Sequence, residues 1–210
     1  MLREVHSGLW VGDGESINGP LKAMAGYSPG PFRRTCDGCG AEHLASEHDA
    51  PHRCLDCALI EITANLFVIH AAKEPWHRNA LGYTERGAPP AHPEYLVAKR
   101  PGELMLNLVD MKSISPQYTN PIVEAAFEAI DHSLDAGKKV LLHCNEGKSR
   151  APTLALLWMG EHGYYQDTPF DQAAEAFRNN LYPEYDPGAG MANYARERWG
   201  YVEETTEASD

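Results

Sequence analysis

Apolar and polar positions along this chain fall into short runs of two kinds, some alternating and some recurring every three to four residues. Residues 4–12, EVHSGLWVG, alternate as one strand does and then meet Gly12, Asp13 and Gly14 as a turn. Residues 17–27 fit a short helix. Residues 66–71, LFVIHA, read as a buried strand, and 104–109, LMLNLV, as another. Between them, 72–103 carries prolines at 75, 89, 90, 93 and 101 and reads as a long irregular segment. A well-marked helix follows. Asn120 is its expected N-cap, Pro121 suits the first turn, and Ile122, Ala126, Ile130 and Leu134 recur at helical spacing up to Gly137. Residues 139–143, KVLLH, form a short apolar strand. The helix predicted over 151–160 is apolar nearly all round and therefore central. Helices are also expected over about 169–180 and 190–199.

Strands alternating with helices predict an α/β fold with a central, mostly parallel sheet flanked by helices. The strand 139–143 then feeds the helix 151–160 through residues 144–150. Those residues lie at a strand's carboxyl end and a helix's amino end, where open α/β sheets bind ligands. One stretch does not fit. Residues 31–62 are rich in His, Cys and acidic side chains and poor in apolar ones, so they read as an insertion within a domain spanning 1–202. The acidic tail 203–210 has no apolar anchor and is expected to be disordered.

Composition narrows the function. The chain has 210 residues, 43% hydrophobic and 23% charged, which suits one globular domain with a real core. The net charge of −12 disfavours a general nucleic-acid or anionic-membrane surface. The amino-terminal segment has no apolar core of signal-peptide length and no stretch approaches a membrane span, so a cytoplasmic protein is expected. There are five cysteines, four of them in two CxxC pairs and one alone. In a cytosolic chain that points to metal binding and catalysis rather than disulfides.

The lone cysteine opens the stretch CNEGKSR, Cys144 to Arg150. A helix amino end presents unpaired N–H groups and the positive end of its dipole. A loop wrapped over it, bending at Gly147, aims main-chain N–H groups of Asn145, Glu146, Gly147, Lys148 and Ser149 inward, as a nest for a tetrahedral oxyanion. Arg150 adds a planar fork matched to two phosphate oxygens. A cysteine beside such a positive end is favoured as the thiolate, a nucleophile facing what the arginine holds. Lys148 favours anionic substrates and Glu146 opposes them. His143 either tunes Cys144 through the base of the loop or simply packs.

His143-Cys144, five residues, Arg150 resembles the signature of cysteine-dependent phosphatases. The wider stretch 107–159 is similar to the core of the dual-specificity protein phosphatases, as are VHSGLWVGD, LFVIHAAKE and YPEYDPGAGMANYARERW. The resemblance implies that Asp110 is the general acid, protonating the leaving oxygen and then activating water. It implies hydrolysis of phosphomonoesters through a cysteinyl-phosphate, on a phosphorylated protein or a small phosphorylated molecule, with no cofactor for catalysis. One departure stands out. The family usually has Ser or Thr directly after the arginine, and this chain has Ala151, leaving Ser149 or Thr153 as substitutes. Two other readings stay open: a phosphate-recognising pseudo-enzyme that recruits a partner, and a phosphoinositide or nucleotide phosphatase. A persulfide-forming sulfurtransferase would not need Asp110.

Cys36 and Cys39, then fourteen residues, then Cys54 and Cys57 have the spacing of a structural zinc site. Four thiolates stabilise a segment with no core of its own. A dithiol redox pair and an iron–sulfur cluster are the alternatives. The insertion is a staple or a docking surface for a protein partner. Lys73, Trp76, His77 and Arg78 cluster in 72–103 and are candidates for reading a substrate beyond its phosphate.

Overall fold

A computed structural model describes residues 1–17, 32–45, 61 and 64–207. Among the described residues are eight strands: β1 (Leu2–His6), β2 (Leu9–Gly12), β3 (Phe32–Thr35), β4 (Glu42–Ala45), β5 (Leu66–His70), β6 (Val97–Arg100), β7 (Glu103–Leu106) and β8 (Lys139–His143). The helices are α1 (Arg78–Leu81), α2 (Pro116–Asp135), α3 (Arg150–Glu161), α4 (Phe170–Asn180) and α5 (Ala189–Glu207). Six strands form one sheet in the order β1-β2-β8-β5-β7-β6, and β3 and β4 form a separate antiparallel pair. Strands β2, β8, β5 and β7 run parallel, and antiparallel β1 and β6 close the two edges. This is the expected α/β architecture with a mostly parallel centre.

The parallel centre is built from LWV, LFVI and VLL, apolar runs suited to strands covered on both faces. Helix α3 packs on β8 and β2, and α2 on β8 and β7. Leu9, Val11, Ile69, Leu104, Leu106, Val140 and Leu142 meet Ile122, Ala126, Ile130, Leu154 and Leu157 in one buried cluster. Fully burying a side chain of this size contributes about 1.5–3 kcal/mol, so these residues fix the register of the parallel strands. That register puts Gly12 beside His143, His143 beside His70 and His70 beside Met105. The strands thus end on one rung, and the loops leaving that rung face the same side.

Several elements differ from the sequence expectation. Residues 4–12 are part of a hairpin rather than one strand, because Gly8, at φ +81°, turns the chain between β1 and β2. Helix α2 begins at Pro116 with Ser115 before it, not at Asn120–Pro121. Ser115-Pro116 is an equally good start signal, and the Asn120 side chain instead accepts a bond from Tyr194 Oη at 2.8 Å. The segment 72–103 is not wholly irregular. It holds a kinked turn at Lys73–His77, α1, and the edge strand β6, which the Pro101–Gly102 turn folds back onto β7. The short polar run VAKR carries too weak an alternation to announce a strand. Helix α5 continues to Glu207, into the tail expected to be unstructured, where Glu203, Glu204 and Glu207 are good helix formers. The helix expected over 17–27 falls, beyond residue 17, outside the described residues, as does much of the 31–62 insertion. Among the described residues no helix is long and apolar enough to cross a membrane.

Candidate active site

The loop Cys144–Arg150 leaves the buried end of β8 and enters α3 at Arg150. Cys144 is 1% exposed, and its N–H donates to Gly12 O at 3.3 Å across the parallel rung. The loop bends at Gly147, whose φ is +71°. A Cβ there would stand 3.0 Å from Asp13 N and 3.1 Å from both Gly12 C and Tyr182 Oη. Backbone sign and space therefore both require glycine. The main-chain N–H groups from Asn145 to Ser149 donate to no acceptor among the described residues. Unpaired donors over the start of a twelve-residue helix are able to receive an anion.

Arg150 is held from several sides. Its Nη2 donates to Asn145 Oδ1 at 2.8 Å and its Nη1 to Leu108 O at 3.4 Å. Asn145 is fixed in turn by a bond from its Nδ2 to Glu74 O at 3.0 Å. Arg150 Nε is buried without a hydrogen-bond partner, and Asp110 Oδ2 lies 4.0 Å from it. A buried guanidinium N–H left unpaired costs roughly 1–3 kcal/mol, which an incoming oxyanion would recover.

Asp110 follows β7 in the loop that passes Leu108. Its carboxylate packs on Gly188, where an added Cβ would meet Asp110 Oδ1 at 2.5 Å. Gly188 also donates its N–H to Ser149 Oγ at 3.0 Å, and Asp186 donates to Lys148 O at 2.9 Å. The loop before α5 thus ties the anion nest to the aspartate. The structure thus sets Asp110, from the segment after β7, beside Arg150, at the far end of the loop that Cys144 opens. Glu146 and Lys148 are exposed at the rim, and Lys148 forms no ion pair among the described residues.

Of the two hydroxyls offered as stand-ins at Ala151, Thr153 has its proton committed elsewhere, while Ser149 accepts a bond and keeps its proton to donate. Ser149 Oγ takes the Gly188 N–H, while Thr153 Oγ1 donates to Ser149 O at 2.7 Å and meets Tyr185 Oη at 3.3 Å. Ala151 itself is fully buried. The cationic cluster of 73–78 is likewise turned inward. Arg78 pairs with Glu74 at 2.6 Å and donates to Tyr83 O and Glu85 O. Lys73 bonds Arg86 O, and His77 is buried against Glu94 O at 3.0 Å. Their charges organise their own segment, so the substrate-reading role considered for them is not carried by this arrangement.

Sequence reasoning missed four contributors: the Asn145 side chain as a clamp on Arg150, Gly188 under Asp110, Tyr182 against Gly147, and His70. The glycine pair in DPGAG was the one available signal. The others depend on which loops the sheet brings together.

Of the four paired cysteines, Cys36 and Cys39 are described, Cys36 buried and Cys39 exposed. They sit on the β3–β4 hairpin. Cys36 N–H donates to Ala41 O and Gly40 N–H to Cys36 O, both at 2.8 Å, while Gly38 N–H points at Cys36 Sγ from 3.4 Å. Cys54 and Cys57 lie outside the described residues, and no group of three or more metal-ligating side chains gathers among those that are described.

The sequence matches no profile of a known protein family and no curated protein. Its fold is that of solved dual-specificity-type cysteine phosphatases. A human tyrosine phosphatase-like serine/threonine/tyrosine-interacting protein superposes with a TM-score of 0.54 at 15% identity, covering 96% of this chain and 97% of that one. A leucine rich repeat and phosphatase domain containing protein from Entamoeba histolytica gives 0.55 at 13% identity, covering 98% and 94%. A mouse dual specificity phosphatase candidate complexed with zinc tungstate gives 0.51 at 14% identity, covering 98% and 90%. At such identities the likeness is one of fold, and the chemistry must be argued from this chain's own residues.

Proposed function

We propose that the protein hydrolyses phosphomonoesters through a cysteinyl-phosphate. The observation that carries this is Arg150, half-buried with an Nε that makes no hydrogen bond and lies 4.0 Å from Asp110 Oδ2, at the end of a loop of undonated N–H groups that begins at Cys144. In the first step the Cys144 thiolate attacks phosphorus, an S–P bond forms, and the ester P–O bond breaks. Asp110 gives its proton to the leaving oxygen. In the second step Asp110 takes a proton from water as that water attacks phosphorus, and the S–P bond breaks to return the thiolate. The nest of Asn145, Glu146, Gly147, Lys148 and Ser149, with Arg150, holds the equatorial oxygens in both steps. The substrate we assign is phosphoserine, phosphothreonine or phosphotyrosine in a protein. A phosphoinositide or nucleotide is the alternative within the same chemistry. Turnover of p-nitrophenyl phosphate and of a phosphopeptide panel, abolished in Cys144→Ser, tests the reaction. Capture of substrate by Cys144→Ser identifies its class.

A second reading has its own support. Ala151 leaves no hydroxyl directly after Arg150, and the Thr153 hydroxyl donates to Ser149 O. A slow second step would turn the site into a phosphate-recognising binding module, and one neighbour in fold is named a phosphatase-like interacting protein. Binding of tungstate without turnover of any phosphoester would decide for it.

We also assign a structural zinc ion to Cys36, Cys39, Cys54 and Cys57. The hairpin supports this, since an N–H aimed at Cys36 Sγ favours a thiolate there. The ion would supply the cross-link that this apolar-poor insertion lacks. It takes no part in the reaction, and the insertion it folds would offer a surface to a protein partner. Metal analysis of the purified protein, with and without Cys36→Ser, tests the assignment.

A further inference from the structure

His70 has no part in the steps above, yet it is buried beneath them. It ends β5 beside His143 in register on β8, and His70 Nδ1 lies 2.7 Å from His143 Nε2. Ala71 N–H donates to His143 O at 2.7 Å, so main chain and side chain both tie this strand end to the residue before Cys144. The Trp76 indole stacks on His70 at 5.4 Å and meets His143 edge-on at 4.6 Å, closing the pair from water. Burial holds both rings neutral, His143 at about 4 and His70 at about 3. Two neutral imidazoles sharing one hydrogen bond must choose which of them donates.

His143 Nδ1 and His70 Nε2 are both buried without a hydrogen-bond partner, so the choice turns on what each of them faces. The Cys144 main chain favours a proton on the His143 ring. With Nε2 engaged by His70, the nitrogen left is Nδ1, which makes no hydrogen bond of its own. On the far side, Glu103 from β7 places Oε2 3.6 Å from His70 Nε2, beyond bonding distance, and its side chain is 51% exposed. Asp13, at the end of β2, acts on His143 by charge alone. Around Cys144 stand Arg150 from α3 and the Tyr182 hydroxyl from the chain after α4. If His143 donated through Nε2, its buried Nδ1 would be left a bare lone pair beside the Cys144 main chain, which favours a proton on this ring. If His70 donates, the leftover lone pair faces a glutamate free to turn to solvent.

We propose that His70 is a positioning residue: its Nδ1–H donates to His143 Nε2, fixes His143 as the Nδ1–H tautomer, and so aims a ring N–H at the main chain of Cys144. This N–H dipole at the foot of the loop favours the thiolate. The inference rests on the phosphatase reading only for the use made of that thiolate.

The test uses the full chain and no substrate. An Asn amide places its Nδ2 where His Nδ1 stands, whereas Gln reaches toward Nε2. In 15N NMR of the ring nitrogens, wild type and His70→Asn should show His143 protonated at Nδ1, and His70→Gln and His70→Leu should not. Alkylation of Cys144 by iodoacetamide near pH 6 should slow roughly fivefold in the Gln and Leu variants, the worth of one net hydrogen bond, and recover in Asn. A wild-type His143 protonated at Nε2, or a His70→Gln variant indistinguishable from His70→Asn, overturns the proposal. Where His70→Leu does not fold, the Asn and Gln variants carry the comparison alone. Because neither readout needs turnover, an inactive wild type would sink the phosphatase reading and leave this one standing.

Discussion

Cys144 and Cys36 are almost equally buried, at 1% and 2% exposed, and their settings are opposite. Cys36 is held by its own neighbourhood. Gly38, Gly40 and Ala41 of the same hairpin bond to it. Cys144 is held by the whole fold. Its loop is fastened by Gly12 from β2, Glu74 after β5, Leu108 after β7, and Asp186 and Gly188 before α5. A local knuckle orients one pair of thiols and needs an ion to gather its ligands. A site made from five loops is rigid before its ligand arrives, which is the condition for electrostatic stabilisation of a transition state.

If that contrast is right, substitutions at the two places should differ in kind. Cys144→Ser should lower p-nitrophenyl phosphate turnover by roughly 10⁴-fold or more, as losing a nucleophile does elsewhere, with the melting temperature little changed. Arg150→Lys keeps the charge and loses the fork, and kcat should drop by about 10²–10³-fold. Asp110→Asn should cost about 10²-fold on p-nitrophenyl phosphate and more on a phosphoserine peptide, whose leaving alkoxide needs the proton. Equal losses on the two substrates would remove Asp110 from the acid role.

The rung beneath the loop gives a pH test. His143 and His70 titrate near 4 and 3 when folded, against an ordinary 6.5. The unfolded chain therefore binds protons that the folded chain does not. Stability from this pair is complete above about pH 6.5 and declines as pH falls toward 4 and then 3, by up to about 1.4 kcal/mol per pH unit for each ring. Thermal denaturation between pH 7 and 5 should show the decline, and His70→Asn should flatten part of it. The smallest effect belongs to the hairpin. Cys36→Ser should remove zinc and leave turnover within about twofold, because the site's anchors lie elsewhere. A large loss of turnover would show that the insertion braces the catalytic loops and would break the contrast.

Much of this was legible in the chain. Apolar runs of strand length and helices at 3.6-residue spacing announced the α/β fold, because burial demands those periods whatever the neighbours are. His143, Cys144, Gly147 and Arg150 announced the anion loop, because a strand end, a tight bend and a helix start are local requirements. Other features required the assembled sheet. Ser115-Pro116 and Asn120-Pro121 were rival starts for α2, and contact with Tyr194 claimed Asn120 for the tertiary structure. Lys73 and Arg78 carry charge in the sequence, but only the fold shows it spent on Glu74 and on carbonyls of their own segment. His70 and Asn145 gain their roles from partners 73 and 71 positions away, His143 and Glu74. A hydrogen bond between residues that distant depends on strand order and register, and those were decided by the packing of the whole core.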